Sequence, residues 1–275
     1  SYNKTLSWDT GNVANFGHMF HSASNFNQPV DGLVTDSAGT LEGMFKDARS
    51  FNQYINNWDI SNVGSLKGMF QNAYSFNGDF MFSNPHSTAA VVDMSYMFSD
   101  AISFGQGISA PGNNLTQWNT FGVENMEYMF KGATEFNMDL SPGPSAAWDT
   151  RRVINMRGMF KEATSFAGTG SLGGVSSWDT RNVTDMSEMF FDATSFNADI
   201  SSWNISSLQQ ATGMFAVTAG TSSFSQTNYD LLLQGWANQP IIQSGVSLDV
   251  AQHFTLSSPA SASRAVLQNT YNWAI

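Results

Sequence analysis

Residues 178–197 read Trp-Asp-Thr-Arg-Asn-Val-Thr-Asp-Met-Ser-Glu-Met-Phe-Phe-Asp-Ala-Thr-Ser-Phe-Asn. The chain writes this stretch eight times. Its Met-Phe pair ends on Phe20, Phe45, Phe70, Phe98, Phe130, Phe160, Phe190 and Phe215, at intervals of 25, 25, 28, 32, 30, 30 and 25 residues. A recurring unit of this size buries its apolar face only against its neighbours, which predicts a solenoid.

Within the unit, Met186, Met189, Phe190 and Ala193 stand at i, i+3, i+4 and i+7, the spacing of one helix face. Asp185 precedes them, and the same slot holds Asn15, Thr40, Ser65, Asp93, Asn125 and Asn155, with Gln210 in the last copy. Side-chain acceptors there predict an N-cap and a short helix, with Glu188 as the capping-box partner of Asp185. Phe196, Ala198 and Ile200 alternate with Asn197 and Asp199, a strand pattern repeated at Phe51–Ile55 and Phe136–Leu140. The Trp-Asp-Thr that follows predicts an Asx turn. The expected fold is therefore an α/β repeat solenoid of eight strand, turn and short-helix units over residues 1–224, with a helical C-terminal cap over 225–275. The second cap helix is expected to start at Ser258, with Pro259 in its first turn.

Asn27, Asn52, Asn77, Asn137 and Asn197 recur after the strand Phe and predict a ladder of stacked amides. Most of the 22 Phe and 14 Met fall in the repeat slots, so they are expected in the core.

The formal charge is −11, with only 12% of residues charged. An acidic chain is a poor partner for nucleic acid. Cysteine is absent, which excludes disulfides, thiolate metal sites and cysteine nucleophiles. No apolar run is long enough to predict a transmembrane segment. The opening at Ser1, a few residues ahead of Trp8, reads as a mature or excised product.

The string from Trp178 to Asn197 resembles the repeat of bacterial and protist surface proteins known as the Mycoplasma-lipoprotein-associated repeat, grouped with BspA-like leucine-rich repeats. The resemblance covers about residues 5–224, and the tail from Asn228 to Trp236 is similar to the segment that closes many such arrays. It implies a secreted or cell-surface protein used in adhesion or recognition, and it carries no catalytic residues. Copy two (Leu33, Val34, Ala38) and copy four (His86, Ser87) depart from the Trp-Asp turn.

Function is expected where the repeats differ. Extra residues fall at one place in four consecutive copies, between the strand Phe and the next turn. They carry Phe80, Met81, Phe82, Ile108, Pro111, Leu115, Pro142, Pro144, Leu172 and Val175. Apolar residues on Gly/Pro loops along one edge would make a binding patch for a protein or glycan; the alternative is loops packed on their own scaffold. His18 and His21 have metal-ligand spacing, while His86 and His253 stand alone. A column of Asp9, Asp59, Asp149 and Asp179 could hold Ca²⁺, although turn formation explains each Asp, and Arg151, Arg152 and Arg181 lie beside them. No phosphate-binding loop, metalloprotease motif or nucleophile elbow is present, so an enzyme is not expected and no cofactor is implied. Three classes remain: a recognition module, a structural subunit packing through its ends or faces, and a metal-dependent carbohydrate binder or enzyme.

Overall fold

Each repeat folds as a run of turns. In copy one the amides of Met19, His21 and Ala23 close turns onto the carbonyls of Phe16, His18 and Phe20. The alternate amides, those of Phe16, His18, Phe20 and Ser22, donate out of the repeat to Thr40, Glu42, Met44 and Lys46. Copy two repeats this, with Leu41, Gly43, Phe45 and Asp47 donating to Ser65, Lys67, Met69 and Gln71. The alternation requires a left-handed residue at every second turn. In copies one to seven two residues supply it, two before and two after the Met-Phe phenylalanine: His18 and Ser22, Gly43 and Asp47, Gly68 and Asn72, and so on to Glu188 and Asp192, all with φ between 52° and 65°.

The computed structural model describes residues 3–78, 87–106, 115, 118–142, 148–170, 174–219, 222–250 and 256–275. Among these the expected eight strand–helix units are absent, and the leucine-rich-repeat-like α/β reading is overturned. The α-helices among the described residues are α1, Gln226–Ala237, and α2, Ser258–Tyr271; the strands among them are β1, Ala211–Phe215, and β2, Leu248–Val250, which pair in parallel. Short 3-10 turns lie at Ser87–Ala90 and Gly174–Ser177. The physical reason is the destination of the amides. An i, i+3, i+4, i+7 pattern reports which side chains are buried, and these are buried; it does not report whether an amide turns back four residues or reaches a neighbour.

The repeats are joined by isolated parallel bridges in one unbroken series, Asn15–Thr40–Ser65–Asp93–Asn125–Asn155–Asp185–Gln210. These are the slots expected to cap helices. Their side chains do accept backbone amides, from the residue two ahead: Asn15 from Gly17 at 2.7 Å, Asp93 from Ser95 at 2.8 Å and Asp185 from Ser187 at 2.7 Å. They form Asx and Ser/Thr turns with no helix behind them, and Glu188 makes no capping box.

The core is a double ladder of phenylalanines. The Met-Phe rings stack from Phe20 to Phe215 at 5.3–5.8 Å between centroids. The second series, Phe26 to Phe224, runs beside it at 5.7–6.3 Å. Within a copy the two rings lie closer, 3.7 Å apart for Phe190 and Phe196. Ring spacing therefore follows the spacing of hydrogen-bonded backbones.

Polar ladders flank the rings. The asparagine ladder differs in kind from the expected amide stack: Asn27 Oδ1 accepts the backbone amide of Asn52 at 2.9 Å, and Asn52 Oδ1 that of Asn77 at 2.9 Å. A threonine ladder is also present, from Thr35 to the Asp59 carbonyl (2.7 Å), Thr88 to Asn119 (2.9 Å), Thr120 to Asp149 (2.8 Å) and Thr180 to Asn204 (2.9 Å). Copies two and four keep their threonine although they lack the Trp-Asp dipeptide, so the turn survives there. Tryptophan indoles hold the same corner: Trp58 donates to Val30 O and Trp203 to Val175 O.

α1 and α2 both fall within 225–275. α2 begins at Ser258 as expected, capped by the Ser257 hydroxyl. Trp236 on α1 donates its indole to Ile200 O.

Candidate recognition surface

The left-handed positions decide what the surface carries. A left-handed residue costs roughly 1–2 kcal/mol unless it is glycine, with Asn and Asp the tolerated exceptions. Copies two, three and six place Gly43, Gly68 and Gly158 two residues before the Met-Phe phenylalanine. Copies four, five and seven place Tyr96, Tyr128 and Glu188 there, at φ 58°, 52° and 57°. Three large side chains in a conformation that disfavours them mark this face as the place to look for function.

Their geometry is interlocked. The Tyr96 and Tyr128 rings tilt against each other at 5.2 Å. Arg157 Nε donates to the Tyr128 hydroxyl at 3.1 Å. That hydroxyl donates to Glu188 Oε2 at 3.2 Å, and Lys161 Nζ reaches the same oxygen at 2.8 Å. Lys161 also lies over the Phe191 ring, 4.6 Å from its centroid. Beside this set, Lys131 bridges Asp100 at 3.1 Å and Glu162 at 3.6 Å.

Electrostatics follow from these contacts. The hydrogen bond from Lys161 holds the Glu188 carboxyl below its ordinary range, against partial burial, with help from Tyr128 and Arg157. Burial pushes Glu127 up, Arg157 only partly opposing it. Burial also raises the Tyr96 hydroxyl, reinforced by Glu127. Burial works against the Lys131 ammonium, yet Asp100 and Glu162 outweigh it and leave the group raised. Shifted groups of both signs thus gather on one face of copies four to seven.

Of the loop-edge residues expected from sequence, Leu115, Pro142 and Val175 lie among the described residues. Leu115 and Val175 are each 1% exposed and sit in the core, so their apolar surface is spent on the chain itself. Pro142 is half-buried. Phe80, Met81, Phe82, Ile108, Pro111, Pro144 and Leu172 lie outside the described residues, as do His86 and His253. The His18 and His21 rings are 5.4 Å apart, and His21 contacts Asp47 at 3.2 Å. Asp59 and Asp149 bind the amides two residues on, as Asx turns, and Asp149 and Asp179 are paired with Arg151 and Arg181 at 2.6 Å. Among the described residues no group of three or more His, Asp or Glu stands ready for a metal ion. On that turn edge Phe121 is exposed, with Arg151 and Arg152 over its ring. No helix among the described residues is long and apolar enough to cross a membrane.

Sequence reasoning missed Tyr96, Tyr128, Arg157, Lys161 and Phe191. The usable signal was the slot shared with Gly43, Gly68, Gly158 and Gly213: glycine in the middle of a supposed helix, four times, points to a left-handed backbone.

The repeat geometry agrees with the comparison to known proteins. The model of a family described as Mycoplasma protein of unknown function, DUF285, matches residues 1–110, 83–167 and 143–255. The chain belongs to this family. The overlapping matches span the whole turn-built array, so DUF285 describes a repeat protein of this Mycoplasma-type kind. No curated protein and no solved structure matches the chain.

Proposed function

We propose that this DUF285 protein is a non-catalytic recognition module, secreted or held at the cell surface, that binds a protein or glycan through the face of copies four to seven. The observation that carries the reading is the set of half-exposed Tyr96 and Tyr128 with Arg157, Lys161, Glu188 and Phe191 over a stacked aromatic core, with Tyr96, Tyr128 and Glu188 on left-handed backbone. Tyrosine, arginine and phenylalanine are enriched where proteins recognise partners, and a rigid base limits the entropy lost on binding. The BspA-like resemblance supplies the setting, that of surface proteins used in adhesion.

The test uses the glycine that other copies carry in the same slot. Tyr96→Gly with Tyr128→Gly removes both rings and suits the backbone, so the fold should persist. Immobilised mucin-type and N-linked glycans and extracellular-matrix proteins serve as probes. A ligand of the intact chain should bind the double variant at least ten-fold more weakly at equal melting temperature, which corresponds to about 1.4 kcal/mol. Equal binding by both chains sinks the assignment, and loss of binding only on shortening the four insertions moves the site to the loop edge.

A further inference from the structure

The Tyr96 and Tyr128 rings occupy the same slot in adjacent copies, tilted by 39° with their centroids 5.2 Å apart. Both side chains are half-exposed, and both stand on left-handed backbone where copies two, three, six and eight place glycine. The chain thus accepts an unfavourable backbone twice running and gains two phenols in contact. Tyr128 is held on its far side. Its Cδ1–Cε1 edge lies over Gly158 of copy six, where a Cβ would collide with the ring. Its hydroxyl donates to Glu188 Oε2 at 3.2 Å and accepts from Arg157 Nε at 3.1 Å. Lys161, 2.8 Å from the same Glu188 oxygen, keeps that carboxyl ionised by holding it below its ordinary range. The Tyr128 phenol therefore has a carboxylate placed to take its proton and a second phenol against its ring. The chain has no cysteine, so no disulfide can tie one copy to the next.

We propose that Tyr96 and Tyr128 form an oxidative cross-linking site, where a haem peroxidase with hydrogen peroxide couples the two phenols into a dityrosine that staples copy four to copy five. Each phenol loses one electron and one proton, and the Tyr128 proton passes to Glu188 Oε2. Arg157 keeps its hydrogen bond to the phenoxyl oxygen that remains. A phenoxyl radical shares its unpaired electron with the ring carbons ortho to the oxygen. The new carbon–carbon bond joins a Cε of Tyr96 to Cε2 of Tyr128, the ortho carbon opposite the edge packed on Gly158. The hydrogens on those carbons then shift to restore both hydroxyls. One hydrogen peroxide takes up the two electrons and two protons and leaves as two waters. Radicals on touching rings need no diffusion to meet, which favours this bond over coupling between molecules. The site needs no ligand, so it stands apart from the recognition reading.

The test treats the full chain, folded and dilute, with a haem peroxidase and limiting hydrogen peroxide, and maps the digest by mass spectrometry. The expected product is one peptide pair joined through Tyr96 and Tyr128, two hydrogens lighter than its parts and fluorescent as dityrosine. Tyr96→Phe and Tyr128→Phe keep the rings and should each abolish it. Glu188→Gln removes the proton acceptor and should slow the linkage about ten-fold or more. The linked chain should melt at a higher temperature, with slower amide exchange in copies four and five, because a cross-link constrains the unfolded chain. Oxidation of Tyr54, which is 64% exposed, without a Tyr96–Tyr128 bond overturns the proposal. So does a bond that forms only between molecules, or as fast in the urea-unfolded chain. A linked chain that melts no higher overturns the staple, and an unchanged rate in Glu188→Gln overturns the proton route.

Discussion

The Tyr128 hydroxyl and the Glu188 carboxylate meet at 3.2 Å although they belong to copies five and seven, and they do so across Gly158 in copy six. A Cβ at Gly158 would overlap the Tyr128 ring, and φ there is 55°. Gly158→Ala is therefore expected to destabilise the fold by about 2 kcal/mol or more, combining left-handed strain with the collision. Gly245, also left-handed but with nothing near its Cβ position, carries the strain alone, so Gly245→Ala should cost less. Urea denaturation of both variants checks the order.

The aromatic ladder has no slack around Phe160, which lies 3.9 Å from Phe166, 5.6 Å from Phe130 and 5.8 Å from Phe190. Phe160→Ala should cost about 3–5 kcal/mol. Because each copy is held by its neighbours, the loss should appear in hydrogen exchange as weakened protection of copies five to seven before copies one and two.

The threonine ladder is tested at Thr120, which is fully buried. Its hydroxyl donates to the Asp149 carbonyl at 2.8 Å and accepts the Asp149 amide at 2.6 Å. Thr120→Val keeps the shape and orphans both groups, for a loss of about 2 kcal/mol. Thr120→Ser, which retains the hydroxyl, should recover most of it in thermal melts.

Two buried tryptophans differ in one bond. Trp203 Nε1 donates to Val175 O at 2.9 Å, whereas Trp148 Nε1 is buried with no hydrogen-bond partner among the described residues. Trp203→Phe leaves a carbonyl orphaned; Trp148→Phe removes an orphan. The first should destabilise more, by about 1 kcal/mol, in paired denaturation curves.

Acid should weaken the Tyr128–Glu188 face in a defined direction. Glu188 is held below its unfolded value, so the folded state binds fewer protons than the unfolded one. Its contribution is present above the unfolded carboxyl value, about 4.3, and disappears as pH falls through the lower folded value. Glu188→Gln should flatten the acid limb of the stability curve. Glu127, raised by burial, has the opposite sign: its protonation favours folding, so Glu127→Gln should be neutral or stabilising at pH 7. Melting temperatures from pH 3 to 7 separate the two.

The amino-acid sequence by itself determined the repeat and the identity of the core. Met186, Met189, Phe190 and Ala193 are buried as their spacing required, and Phe196, Ala198 and Ile200 face inward in alternation. It also determined that Asp185 and its counterparts must satisfy nearby amides, because short polar side chains compete for backbone wherever they stand. Only the tertiary structure decided where the remaining amides go. Apolar spacing records burial and carries no information on whether Phe190 N–H bonds within its copy or to Met214 of the next. Left-handed backbone at Tyr128 and Glu188 is unfavourable in an isolated unit; neighbouring copies offset it with several interlocking hydrogen bonds each. The candidate surface depends on that choice. A helix would send Tyr128 and Glu188 along separate axes, whereas the stacked turns bring them across Gly158 into contact.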